Sequence, residues 1–198
     1  MPTLYVLAGP NGAGKTTYYF SAKHEQSFIS QIEFLNIDLI ARNELGGYNE
    51  TNFAKAETIY RERIKTLLDS KSDFLIESNL ARSSDFDWIT GMIKAGYNVV
   101  LFFLCTNDID INMNRIKRRV KEGGHDVPPE IVIHRYKMVL TNLKGKLNLF
   151  NEVYLIENSS DTPVLIAQVI NNTLTEYISP MPKWAEEVLF IAKRISKK

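Results

Sequence analysis

The sequence predicts an α/β fold with a mainly parallel five-stranded sheet and helices on both faces, and three observations carry that expectation. Five apolar runs, at 3–8, about 32–36, 73–77, 98–104 and 152–157, alternate with stretches of helical period near 15–24, 51–69, 84–95, 107–122 and 128–147. The runs are almost continuously apolar, as in Asn98-Val-Val-Leu-Phe-Phe-Leu104, which suits strands covered on both faces. The first run also feeds straight into a glycine-rich stretch, Gly9-Pro-Asn-Gly-Ala-Gly-Lys-Thr16. Alternating strand and helix calls for right-handed crossovers, and ligands then gather at the carboxyl ends of the strands.

Each element has its own reason. The run Leu4 to Ala8 is a buried strand, and the stretch after it satisfies GxxxxGK[ST] at every fixed position. In that setting Gly9, Pro10, Asn11, Gly12, Ala13, Gly14, Lys15, Thr16 and Thr17 form a nucleotide-binding loop. Its amides wrap a phosphate chain, and the helix starting near Lys15 adds partial positive charge. Lys15 reaches the β- and γ-phosphates, and the Thr16 hydroxyl ligates Mg²⁺. A nucleoside triphosphate and Mg²⁺ are therefore the expected ligands.

Polar residues at the other strand ends supply the remaining candidates. Asp38 follows Phe34-Leu35-Asn36-Ile37, where a carboxylate can accept the proton of an attacking hydroxyl. It stands equally well as the cap of a helix starting at Leu39. Glu77 ends the run Phe74-Leu75-Ile76; an ionised carboxylate in that place wants a partner, either Mg²⁺ through water or an acceptor hydroxyl. Ser78 and Asn79 offer neutral hydrogen bonds to substrate.

The segment Arg115 to Pro129 is a basic helix stopped by Gly123-Gly124 and restarted at Pro128-Pro129. Arg115, Arg118 and Arg119 share a helical face. A solvated basic face is the ordinary outcome of such spacing, but beside a Gly-Gly hinge it reads as a lid, about 107–135, that clamps phosphates. Past residue 160, Val164–Ile170 and Thr173–Ile178 flank Asn171-Asn172 as in a tight hairpin. An amphipathic helix from Trp184 to Ile195 follows, giving a C-terminal unit at 163–196, and the basic residues Lys193-Arg194 and Lys197-Lys198 form a solvated tail.

Composition excludes several classes. The chain has 198 residues, 44% hydrophobic and 24% charged, and a formal net charge of +1. That length suits one domain over 1–198. The charge gives no general attraction to nucleic acid or anionic membrane. Cys105 is the lone cysteine; it fits a small core residue and rules out an intramolecular disulfide framework. No apolar stretch approaches a membrane span, and strand material starts at residue 3, so a cytoplasmic protein is expected. There is no DxxG, NKxD or LSGGQ, which points to group transfer over switching or transport.

The ordered set GPNGAGKTT, FLNID, FLIESNL, GYNVVLFFL, RIKRRVKEGGHDVP, HRY and ENSS resembles the zeta toxin-like P-loop kinases over about residues 3–160. The resemblance implies a three-layer P-loop NTPase fold of the nucleoside-kinase kind. It implies that Lys15 and Thr16 hold triphosphate and Mg²⁺, that Asp38 is the catalytic base, and that Glu77 contacts the acceptor sugar. Arg115 and Arg119, with His125, would belong to the phosphate-clamping lid. Well-studied zeta toxins are ATP-dependent UDP-N-acetylglucosamine 3′-kinases restrained by a small antitoxin. The chain departs from the family at Glu77-Ser78-Asn79, where Glu-Thr-Thr is common, and at His134-Arg135-Tyr136, where Arg-Arg-Tyr is common.

The expected activity is therefore a small-molecule kinase, with Lys15, Asp38, Arg115 and Arg119 catalytic and Asp38, Glu77, Asn79 and His125 on the substrate. Two alternatives stand beside it: a kinase of nucleosides, polynucleotides or antibiotics, and a non-catalytic nucleotide-dependent toxin–antitoxin module. A polynucleotide normally demands a basic track that this charge balance lacks.

Overall fold

In the computed structural model, which describes residues 1–25 and 28–195, the first strand lies in the middle of the sheet. Strand β1 (Thr3–Ala8) runs parallel to β3 (Phe74–Ser78) on one side and to β4 (Asn98–Cys105) on the other. Beyond them lie β2 (Glu33–Leu35), parallel to β3, and β5 (Glu152–Glu157), parallel to β4. Register explains the near-continuous hydrophobicity. Leu4, Val6 and Ala8 enter one core layer with Phe74, Ile76, Leu101 and Phe103, while Leu7, Leu75, Val100 and Leu104 enter the other. Alternate residues face opposite layers, so a strand buried on both sides shows no alternation in its letters.

The larger layer is built from α3 (Glu50–Asp69), α4 (Ser83–Lys94), α6 (Pro129–Leu143) and α7 (Lys183–Ile195). The smaller layer rests on α1 (Lys15–His24), through Tyr19, and on Ile29 of a short 3₁₀ turn. Two further helices, α2 (Ile37–Glu44) and α5 (Ile109–Lys121), flank the carboxyl ends of the strands.

Among the described residues the sheet has seven strands, not five. β6 (Val164–Ile170) and β7 (Thr173–Glu176) form the expected hairpin, but β6 also pairs antiparallel with β5, giving the order β2-β3-β1-β4-β5-β6-β7. Asn171 and Asn172 have φ of 49° and 62°, the left-handed pair that a two-residue hairpin turn requires. Helix α6 stops at Leu143, short of the expected 147, because Gly145 takes φ 80°. The expected C-terminal unit ends with residue 196, and the tail holds Lys197-Lys198; these lie outside the described residues. Among the described residues no helix is long and apolar enough to cross a membrane. Cys105 is buried with its pKa pushed up to about 12 by desolvation, as a core residue should be.

Candidate active site

Everything at the site hangs on how β1 turns into α1. Gly14 precedes the helix with φ 89°, no side chain caps the amides of the first turn, and that turn carries no acidic residue. Those N–H groups therefore face outward as a ready anion cradle. The loop approaches other segments so closely that side chains do not fit. A Cβ at Gly9 would strike the Leu104 carbonyl, and one at Gly14 would strike the Asn158 amide.

Two buried asparagines tether the loop. Asn112, fully buried on α5, donates to the Asn11 carbonyl at 2.7 Å and also bonds the Thr106 hydroxyl. Asn158, directly after β5, donates to the Ala13 carbonyl at 2.7 Å. Asn158 falls in the ENSS motif at the end of the fifth apolar run, whereas Asn112 was not among the candidate residues. For Asn112 a signal existed: Ile109, Asn112, Met113 and Ile116 sit on one helical face, so a polar residue there must point inward.

Lys15 is 5% exposed. Its ammonium donates to the Gly9 and Pro10 carbonyls at 2.9 and 3.2 Å and to Asn79 Oδ1 at 2.9 Å, and it lies 3.6 Å from Glu77 Oε1. Burial lowers its pKa, while Glu77 and then Asp38 oppose the shift. Glu77 Oε2 accepts the Thr16 hydroxyl at 2.8 Å and Asn36 Nδ2 at 2.7 Å. The carboxylate is thus partnered from both the phosphate loop and the end of β2.

Asn36, not Asp38, caps α2: its Oδ1 accepts the Leu39 amide at 3.0 Å. Asp38 sits inside the first turn, which frees its carboxylate from capping. It lines two cavities at once. One, of about 430 Å³, runs along the phosphate loop past Thr17, Arg115, Arg119 and Asn158. The other, of about 660 Å³, lies between α3 and α4 and is walled by Tyr60, Ile64, Arg82, Trp88 and Arg135. Asp38, Glu77 and Asn79 line both.

The lid residues divide. Arg115 donates to the Asn158 and Ser160 carbonyls at 2.7 and 3.3 Å, closing the end of the first cavity. Arg119 faces the same cavity and donates to the His125 carbonyl at 2.6 Å, leaving its buried Nε without a hydrogen-bond partner. Arg118 borders the same cavity at the surface, 3.7 Å from Glu122. His125 lines neither of these cavities; its ring packs against Tyr48 and Phe53. Arg135 reaches from α6 to Asn11 Oδ1 at 3.2 Å, a bond across 124 residues of sequence.

A glycine-rich anion cradle at the mouth of β1, a buried lysine and a mainly parallel sheet define a P-loop fold of the kinase type. The chain belongs to the Zeta toxin family, whose model matches residues 1–170. An uncharacterized protein of Haemophilus influenzae is 27% identical over 128 residues, covering 65% of this chain and 88% of that protein. A chain of the AvrRxo1-ORF1:-ORF2 crystal structure with ATP superposes with a TM-score of 0.68 at 16% identity, over 99% of this chain. The present chain spans 64% of that one. A chain from the PezAT chromosomal toxin–antitoxin system of Streptococcus pneumoniae gives 0.61 at 16% identity, covering 98% of this chain and 85% of its own length. At these identities the structural likenesses speak for the fold.

Proposed function

We propose that the chain is an ATP- and Mg²⁺-dependent phosphotransferase that phosphorylates a hydroxyl of a small molecule. The observation that carries this reading is the shared wall: Asp38, Glu77 and Asn79 line both the cavity along the phosphate loop and the larger cavity beside it. One chamber suits a triphosphate, the other an acceptor, and a carboxylate stands where they meet.

The residues fit the nucleotide on three independent points. The uncapped first turn of α1 offers its amides, Lys15 holds its charge on carbonyl oxygens that a phosphate can replace, and Arg119 Nε is an unspent buried donor. The Thr16 hydroxyl and Glu77 fit Mg²⁺, which takes one or two carboxylate contacts and fills the rest of its shell with phosphate and water. ATP with Mg²⁺ supplies the phosphoryl group and spreads its charge. Asp38 takes the acceptor proton, Lys15 and Arg119 hold the phosphate end, and Arg115 fixes the loop after β5. Glu77 orients Thr16, with Asn36 fixing its carboxylate. Asn79, bonded to Lys15, presents its amide to both chambers.

For the acceptor, Tyr60, Trp88 and Arg135 provide flat apolar and cationic surfaces together. Family membership makes a nucleotide sugar such as UDP-N-acetylglucosamine the first candidate. A protein antitoxin is the expected partner, supported by the PezAT likeness. The test adds protein and ATP to a cytoplasmic extract and seeks, by mass spectrometry, a metabolite that gains one phosphate. Asp38→Asn should keep nucleotide binding while transfer falls by roughly 10²–10⁴-fold. Undiminished transfer in that variant would remove Asp38 from the reaction, and unchanged nucleotide binding by Lys15→Ala would remove the whole reading.

A further inference from the structure

The turn between α5 and α6 is tied at both ends. Arg119 donates to the His125 carbonyl at 2.6 Å, and the Gly124 amide donates back to the Arg119 carbonyl at 2.9 Å. A Cβ at Gly124 would collide with the Arg119 side chain. Arg119 and His125 thus form one small unit, its geometry set by that glycine.

The ring of His125 lines neither cavity of the site and packs against the α2–α3 arm. Its centroid lies 5.1 Å from that of Phe53, edge-on, and 5.8 Å from that of Tyr48. Both receiving rings pack on Ile40, Ala41 and Ala56, the small core of the arm. The same arm carries Asp38 in the first turn of α2. Glycines flank the clasp on either side: Gly46 and Gly47 in the arm and Gly123 in the turn have φ of 82°, 146° and 82°, with open space around each. Backbone of that kind rotates readily, so the position of one part relative to the other depends on side-chain contact.

Building on the phosphotransferase reading, we propose that His125 is a positioning residue: its ring latches the lid turn to the arm that bears Asp38, and so aims Arg119 at the phosphate loop. The imidazole touches neither ATP nor acceptor. It acts through its shape, as an aromatic plate between two aromatic neighbours, and through its own carbonyl, which holds the guanidinium. When the latch is made, the arginine and the aspartate take up their places together.

The test measures the dissociation constant of Mg²⁺ with the non-hydrolysable analogue AMP-PNP, by calorimetry, on the full chain. His125→Ala should weaken binding roughly threefold to tenfold, the worth of a lost aromatic clasp. His125→Phe, which keeps ring and carbonyl, should stay within about twofold of the parent, on the same reasoning. Phe53→Leu, which removes a receiving ring, should reproduce the loss from the other side. Arg119→Ala should weaken binding roughly tenfold or more, as loss of a charged donor does, and adding His125→Ala to it should cost nothing further. The latch is overturned if the two losses multiply, if His125→Phe falls as far as His125→Ala, or if His125→Ala or Arg119→Ala binds as the parent does. Lys15→Ala separates the two ideas. If it abolishes binding while the His125 variants behave like the parent, the latch fails and the kinase reading stands.

Discussion

Two buried asparagines do for the phosphate loop what its own glycines cannot. Glycine lets the backbone bend and approach, but it holds nothing in place; Asn112 and Asn158 supply the side-chain bonds that do, while Asn36 holds Glu77. Asn158→Ala leaves the Ala13 carbonyl short of a partner in a buried place, at a cost of about 1–3 kcal/mol. Thermal melting should register that loss, and nucleotide affinity should fall with it. A second expectation concerns Lys15, whose pKa is lowered from 10.5 first by burial. As pH rises toward 10.5 the unliganded lysine gives up its proton earlier than a phosphate-bound one would. Nucleotide binding should therefore take up protons increasingly over that alkaline range, and calorimetry in buffers of different ionisation heat measures it. At this scale the sequence was legible where chemistry is local. The cap of α2 is Asn36 and not Asp38, because the helix begins at Ile37 instead of Leu39, but the phosphate loop was legible directly. Arg135 was not, because its bond to Asn11 exists only once α6 has docked.

Elements were legible by type more than by partner. A hydrophobic period names a strand but does not say what it will pair with, which is why the hairpin was visible and its membership of the main sheet was not. The antiparallel pairing of β6 with β5 depends on which edge stays open after the parallel strands have assembled. The turn itself is testable. Asn172, at φ 62°, should tolerate glycine without loss, whereas Asn172→Val places a branched residue in left-handed backbone and costs about 1–2 kcal/mol. Urea denaturation distinguishes the two. Helix α7 offers a sharper case. Trp184 is 3% exposed, packs against Phe103 and donates through its indole N–H to Glu157 at 2.7 Å. Trp184→Ala should cost about 3–5 kcal/mol, and Trp184→Phe should recover part of that while leaving Glu157 short of one donor.

At the scale of the molecule, charge and cavity shape agree on the kind of ligand. A net charge of +1 over 198 residues gives no general attraction to a polyanion. Oligonucleotide affinity should accordingly be weak and show no steep dependence on salt, which a filter-binding titration checks. Mg²⁺ with AMP-PNP should instead raise the melting temperature, since a ligand at about 100 times its dissociation constant stabilises the folded form by about 2.7 kcal/mol. Lys15→Ala should melt at the same temperature with and without the analogue. The rest of the site was hidden from the letters for one reason. The wall shared by the two cavities joins the end of β3 to the start of α2 across the sheet, so its existence is a property of strand order.

That strand order also bears on synthesis. The phosphate loop, Gly9 to Thr16, is made well before its last tether, Asn158, which lies 145 residues further along than the Ala13 it holds. A polypeptide halted before that asparagine carries the lysine, the aspartate and the glutamate and still lacks the clamp that holds Ala13 in line. Translation interrupted before Asn158 should thus release fragments whose phosphate loop is poorly held.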